Sequence, residues 1–283
     1  MRKLSAAALA WLCAGSMAAQ TSIKEGYVNL PGVRLFYRDT GGNGIPVILL
    51  HPNTGSARVW EYQIPAITAK GYRLIMYDRR GFGRTQVDPS GPQPGTGADD
   101  LMGLVDQLKL DRVDVVATGG GAFVGLDFAL SFPQRVRSLV MANSIGGVQD
   151  PEFAELNRRL RPPEFGAMPP EIREVGPSYR AANPEGTQRW VDLEKLSRPP
   201  GPVMAAQPTR NRITFAMLET LRVPTLLITG GADMFAPPPV LRMFAARIKD
   251  AKTLIVPEAG HSTYWEQPDV FNRAVLDFIG SRK

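Results

Sequence analysis

Six short apolar runs separated by amphipathic segments restrict this chain to a layered α/β architecture. Residues 46–50, 73–77, 113–117, 138–142, 225–229 and 253–256 are rich in Val, Ile and Leu. Runs of that length and composition suit parallel strands buried on both faces. Between them, 99–108, 122–132, 240–248 and 270–279 are each long enough for a helix with one apolar face. This alternation predicts a doubly wound, mostly parallel sheet with helices on both faces. Ahead of the first run, 27–37 alternates around Pro31-Gly32, which predicts an antiparallel hairpin. At 283 residues and 43% hydrophobic, the chain is long enough to bury one sizeable core.

The alternation stops over 147–215. Strand signals vanish there, and the pairs Pro162-Pro163, Pro169-Pro170 and Pro199-Pro200 divide the sequence into short helical pieces. The division expected is therefore a first core part at 20–146, a helical cap inserted at 147–215, and a second core part at 216–283. The cap carries Phe153, Phe165, Tyr179, Trp190 and Phe215 together with Arg158, Arg159, Arg161, Arg180 and Arg189. The arginines are expected to be solvated and paired with neighbouring glutamates, the alternative being that one clamps a substrate carboxylate.

Residues 1–19 read as an export signal. Arg2 and Lys3 form a charged start, 4–12 an apolar run, and Ser16-Met17-Ala18 a small-residue cleavage region. A periplasmic or extracellular protein is expected, with a retained N-terminal anchor as the alternative. No other stretch approaches the roughly 20 apolar residues of a membrane helix, so no membrane span is expected after cleavage. The single cysteine, Cys13, falls within the signal, leaving the processed chain without disulfides or a thiol nucleophile. The net charge is +6, but 33 basic and 27 acidic residues are interleaved throughout. No basic stripe marks a nucleic-acid partner; the balance leans weakly towards anionic small molecules.

Chemistry at neutral pH usually enlists histidine, and the chain has only two. Both follow strand runs: His51 after 46–50, and His261 in Gly260-His261 after 253–256. Loops at the carboxyl ends of strands form the ligand crevice of an open α/β sheet. Asp233 follows run 225–229 and projects from the same edge. A carboxylate there can accept from one imidazole nitrogen, fix the tautomer and stabilise the imidazolium.

In these features the chain resembles the α/β-hydrolase superfamily from about residue 27 to 279. The features are His51, the segment Asp78-Arg79-Arg80-Gly81-Phe82-Gly83, the turn after 113–117, Asp233 ahead of Pro237, and Gly260-His261, in that order. The resemblance implies an α/β-hydrolase fold with Asp233 and His261 as acid and base. It also implies a nucleophile at the centre of Ala117-Thr118-Gly119-Gly120-Gly121, where this sequence has Gly119. Glycine adopts the strained backbone of such an elbow at little cost but supplies nothing that attacks. The Gly120 N–H at a helix start, with Asn53 as second donor, is expected to face a developing oxyanion, and His51 to sit beside the substrate. Pro52 stiffens that loop and removes one donor. Residues 51–60 also look like the halide-binding loop of haloalkane dehalogenases, whose aspartate nucleophile Gly119 rules out. Thr118 and Ser144 are weaker candidate nucleophiles; a strand threonine pointing away and a loop or capping serine are the plainer readings.

The expectation is thus a cofactor-free, metal-free enzyme in which the His261-Asp233 dyad acts directly as general base on a small, partly apolar organic substrate. It would activate water against an ester, lactone or other carbonyl compound, or take a proton from the substrate as cofactor-independent oxygenases and lyases of this fold do. A ligand-binding protein that has lost catalysis is the competing reading.

Overall fold

Pro31 and Gly32 close a two-residue hairpin in which Leu30 pairs with Val33 and Gly32 adopts φ +72°. The turn joins β1 (Lys24–Leu30) to β2 (Val33–Asp39). The computed structural model describes residues 22–93, 95–161, 163–200 and 206–282. The expected export signal lies outside the described residues.

After the hairpin come β3 (Pro46–Leu50), α1 (Gln63–Thr68), β4 (Arg73–Tyr77), β5 (Gln86–Val87), α2 (Gly97–Gln107), β6 (Val113–Thr118) and α3 (Gly121–Ser131). Next is β7 (Val136–Ala142). Five short helices, α4 (Pro151–Arg159), α5 (Pro170–Glu174), α6 (Pro177–Ala182), α7 (Pro184–Lys195) and α8 (Phe215–Leu218), precede β8 (Thr225–Gly230). The chain closes with α9 (Pro238–Ala245), β9 (Lys252–Val256), α10 (Thr263–Glu266) and α11 (Pro268–Gly280). The sheet order is β1-β2-β4-β3-β6-β7-β8-β9, with β5 paired to β2. From β4 to β9 neighbouring strands run parallel; the hairpin joins antiparallel. This is the α/β-hydrolase fold.

Every residue of β6 is buried, and successive side chains serve opposite layers. Val115 and Ala117 pack under α2, α3 and α9, while Val116 joins the layer that Trp60, Phe271 and Phe278 complete on the other face. Strand β7 begins at Val136, two residues before the apolar run suggests. A register shift at Val113/Asp114 lets Val136 pair there despite the polar Arg137 beside it. The two-residue β5 and the short α1 lack a periodic signal and escape a reading by pattern.

Prolines in the insertion set helix starts as much as they break helices. Each of α4, α5, α6 and α7 has Pro in its first turn, where a missing N–H costs nothing. No strand occurs among the described residues between β7 and β8. Phe153 and Phe215 pack edge-on against Phe244 of α9, both at 5.7 Å, so these two aromatics anchor the insertion to the core.

Candidate active site

The chain leaves β3 for β4 on one side and returns through β6 on the other, so the loops after β3 and β6 diverge. A crevice opens at such a reversal. Pro52 and Asn53 line it from the β3 loop, Gly119 and Gly120 from the β6 turn, Ser144 after β7, and His261 after β9. The cavity holds about 430 Å³, within the range of small-molecule sites.

His261 Nδ1 lies 2.9 Å from both carboxylate oxygens of Asp233. A carboxylate only accepts, so Nδ1 carries the proton and the neutral ring keeps its lone pair on Nε2. Three further donors hold the carboxylate: the Phe235 and Ala236 N–H groups on Oδ1 at 2.7 and 2.9 Å, and Asn143 Nδ2 on Oδ2 at 3.0 Å. Burial works against the charged form of Asp233, but His261 and these donors outweigh it and bring the pKa down to about 2. Burial likewise disfavours the imidazolium, yet the charges of Asp233 and Glu174 raise the His261 pKa above its usual 6.5.

Two residues that the sequence does not announce hold this pair. Asn143, in the left-handed region at φ +49°, donates to Asp233 and to the Gly260 carbonyl while accepting from Thr263. Glu266 is buried and accepts from the N–H groups of Gly260 and Ser262 on the histidine loop and from Gly176 on the insertion.

Three consecutive glycines follow β6, each required for a different reason. Gly119 has φ +52°, and a Cβ built on it would lie 3.5 Å from His261 Nε2 and 3.0 Å from Pro52 Cβ. A Cβ on Gly120 would fall 2.2 Å from Asn53 Oδ1, and one on Gly121 2.4 Å from the Leu50 carbonyl. The Gly119 N–H is held by the Ala142 carbonyl at 3.0 Å. Gly120 opens α3 and borders the cavity, as does Asn53. Asn53 Oδ1 accepts from Arg79 at 2.9 Å, which turns its Nδ2 donor the other way.

The structure moves His51 away from the place expected for it. It is fully buried, outside the residues that border the cavity, with Nδ1 on the Pro52 carbonyl at 2.8 Å and Nε2 accepting from the Arg79 N–H at 3.1 Å. Burial, then the charge of Arg79, holds its pKa well below the usual value, so it braces the loop as a neutral ring. Thr118 is also fully buried and does not border the cavity. Ser144 does, but its hydroxyl donates to the Gly119 carbonyl at 2.7 Å and accepts from the Gly146 N–H at 3.1 Å, the pattern of a turn serine.

Of the five aromatics that the insertion carries, Phe165 reaches towards the site. Its ring meets Phe235 at 4.8 Å, and Phe235 meets the His261 imidazole at 4.4 Å. Arg158 and Arg159 pair with Glu155, and Arg189 with Glu61, whereas Arg180 turns to the Val175 carbonyl. Arg161 instead lies over Phe165 and Phe235 at 5.5 and 5.1 Å and borders the cavity. Glu174, which pattern reading passes over, borders it too; burial raises its carboxyl pKa, partly offset by His261. No cluster of three metal-ligating side chains occurs among the described residues.

The chain belongs to the α/β-hydrolase family, whose sequence pattern matches residues 47–274. It is 27% identical to the 2-hydroxy-6-oxononadienedioate/2-hydroxy-6-oxononatrienedioate hydrolase of Cupriavidus pinatubonensis over 88% of this chain and 91% of that protein. Among solved structures, a thermophilic esterase from Thermogutta terrifontis superposes with a TM-score of 0.76 at 26% identity, covering 92% of this chain and 99% of the esterase. The meta-cleavage product hydrolase CumD follows at 0.71 and 25% identity, covering 90% and 98%. These relatives are hydrolases, and the chain is a hydrolase-like member of the family.

Proposed function

We propose that this is an exported enzyme in which His261, oriented by Asp233, acts directly as general base on a small, partly apolar ester, lactone or other carbonyl compound, without a serine nucleophile. The observation that carries the reading is the 3.5 Å between His261 Nε2 and the point where a Gly119 side chain would begin. The basic nitrogen therefore faces the place from which a family nucleophile attacks, and that place admits water. Water bound there gives its proton to Nε2 as its oxygen bonds to the carbonyl carbon. The resulting oxyanion faces the Gly120 N–H and Asn53. Collapse breaks the bond to the leaving group, which takes the proton back from the imidazolium. Base catalysis of this kind contributes roughly 10²- to 10⁴-fold and an oxyanion donor about 10²- to 10³-fold, which suits a slow to moderate enzyme.

Export rests on the sequence of residues 1–19. The relatives' names, hydrolases of an oxo-dienedioate and of meta-cleavage products and an esterase, support a carbonyl substrate. The test is a screen of the processed protein against esters, lactones and enolisable aromatic compounds under air, with His261→Ala alongside and oxygen recorded. Turnover that the variant loses, without oxygen uptake, is the expected result. Oxygen uptake would replace hydrolysis by oxygenation. Activity equal to the variant's across the panel would sink the catalytic reading in favour of a ligand-binding protein.

A further inference from the structure

A second cavity of about 290 Å³ adjoins the first, and Asn53, Gly120, Phe123 and Arg198 border both. Its notable members are two arginines from distant parts of the chain. Arg79 follows β4 and Arg198 follows α7, and both guanidinium carbons lie 4.6 Å from the centre of the Phe82 ring. The turn that carries Arg79 is held rigidly: Asp78 accepts from the Ala57 and Arg84 N–H groups, both at 2.7 Å. The Gly83 N–H then donates to the Ser197 carbonyl at 2.7 Å, which brings Arg198 alongside.

Neither arginine forms an ion pair with a carboxylate among the described residues. The residues outside that set include no Asp or Glu. Arg79 is buried; its guanidinium donates to the His51 carbonyl and Asn53 Oδ1, and its Nε has no partner among the described residues. Asp127 on the opposite wall is committed to the N–H groups of Arg210 and Asn211 and to the Asn211 amide. Arg80 is already neutralised by Asp100. A buried guanidinium beside a second cation, with no counter-charge, is costly unless an anion joins it.

Building on the general-base reading, we infer that Arg79 and Arg198 form a subsite for a carboxylate carried by the substrate, whose carbonyl reaches His261 through the passage between Asn53 and Phe123. Planar guanidinium groups match a carboxylate's two oxygens, and Phe82 fixes their spacing. The arginine-bearing turn also orients Asn53, so anion binding and oxyanion stabilisation share one scaffold.

The test is isothermal titration of the full processed chain with 4-phenylbutyrate and its neutral amide, in wild type, His261→Ala and Arg198→Gln. The acid is expected to bind about tenfold or more tightly than the amide in wild type and in His261→Ala. Arg198→Gln, at an exposed residue whose loss the fold tolerates, should bring the acid down to the amide's affinity and leave the amide unchanged. Arg79→Gln, where it folds, should do the same. Equal affinities in wild type, or an advantage that survives Arg198→Gln, would overturn the inference. Inorganic phosphate that competes as strongly as the acid would assign the site to a free anion instead. His261→Ala with undiminished turnover would refute the dyad alone, since the acid's preference is read without catalysis.

Discussion

Placing a hydroxyl at position 119 tests the register of the whole site in one step. In Gly119→Ser the new Cβ stands 3.5 Å from His261 Nε2, so an Oγ turned towards the ring comes within the hydrogen-bond reach of an activated nucleophile, about 2.6–3.2 Å. Two costs follow. A side chain at φ +52° costs about 1–2 kcal/mol, and Pro52, whose Cβ would be 3.0 Å from the new atom, must yield slightly. For a chain of this size the strain lowers Tm by about 2–8 °C. Against p-nitrophenyl acetate the variant should release a burst of one p-nitrophenol per chain, and a fluorophosphonate should add its mass at position 119. Gly119→Ala is the control: it carries the same strain and shows no burst. Its methyl group also occupies the water's place, so it loses the wild-type turnover. A folded Gly119→Ser protein with the expected fall in Tm but neither burst nor label would refute the claim that Nε2 is aimed at this position.

Activity should rise with pH through the imidazole pKa, above 6.5, because the base acts only as the neutral ring. Asp233→Asn should move that limb to lower pH, since burial then prevails, and should cut kcat by roughly 10²- to 10⁴-fold; pH-rate profiles of both proteins check this. For stability the signs differ by partner. The contribution of the raised His261 pKa is complete below 6.5 and is lost as pH rises through the folded value, while that of Asp233 is present above 3.8 and disappears as pH falls towards about 2. Melting curves across that range should therefore show a loss on the acid side at Asp233's folded value. Glu266→Gln weakens acceptors of three backbone N–H groups; about 2 kcal/mol, or a Tm lower by about 4–8 °C, is expected from calorimetry.

Local pattern made much of the scaffold readable. The strands at 46–50 and 73–77 are where their apolar runs stand, because burial on both faces leaves no room for polar alternation. Asp233 and His261 were legible because each lies in a loop that follows a strand at the same sheet edge, and the structure brings them to 2.9 Å. His51 satisfied the same rule and nonetheless turned inward, since the rule fixes where a loop begins and not which way a ring rotates. Arg79 and Arg198 were illegible as a pair: 119 positions separate them, and long-range contacts, the Gly83 to Ser197 hydrogen bond and the bonds that both arginines donate to Asn53, make them neighbours. Asn143 reaches Asp233, Gly260 and Thr263 from at least 90 positions away, and Glu266 is held by backbone N–H groups that carry no residue identity, so neither leaves a spacing for a motif to record.

The carboxylate of Glu266 takes N–H groups from both the histidine loop and the insertion, and glycines close that seam from either side. A Cβ on Gly260 would meet the Gly176 nitrogen at 2.5 Å, and one on Gly176 would meet the Glu258 carbonyl at 2.6 Å. For an engineer this joint sets the boundary of a transplantable part. An insertion borrowed from another family member to change substrate scope must bring a glycine that fits against Gly260 and an N–H for Glu266, or it will disturb the base while altering the pocket. The roof of this site and its histidine are one mechanical unit, and they should be exchanged, or evolved, together.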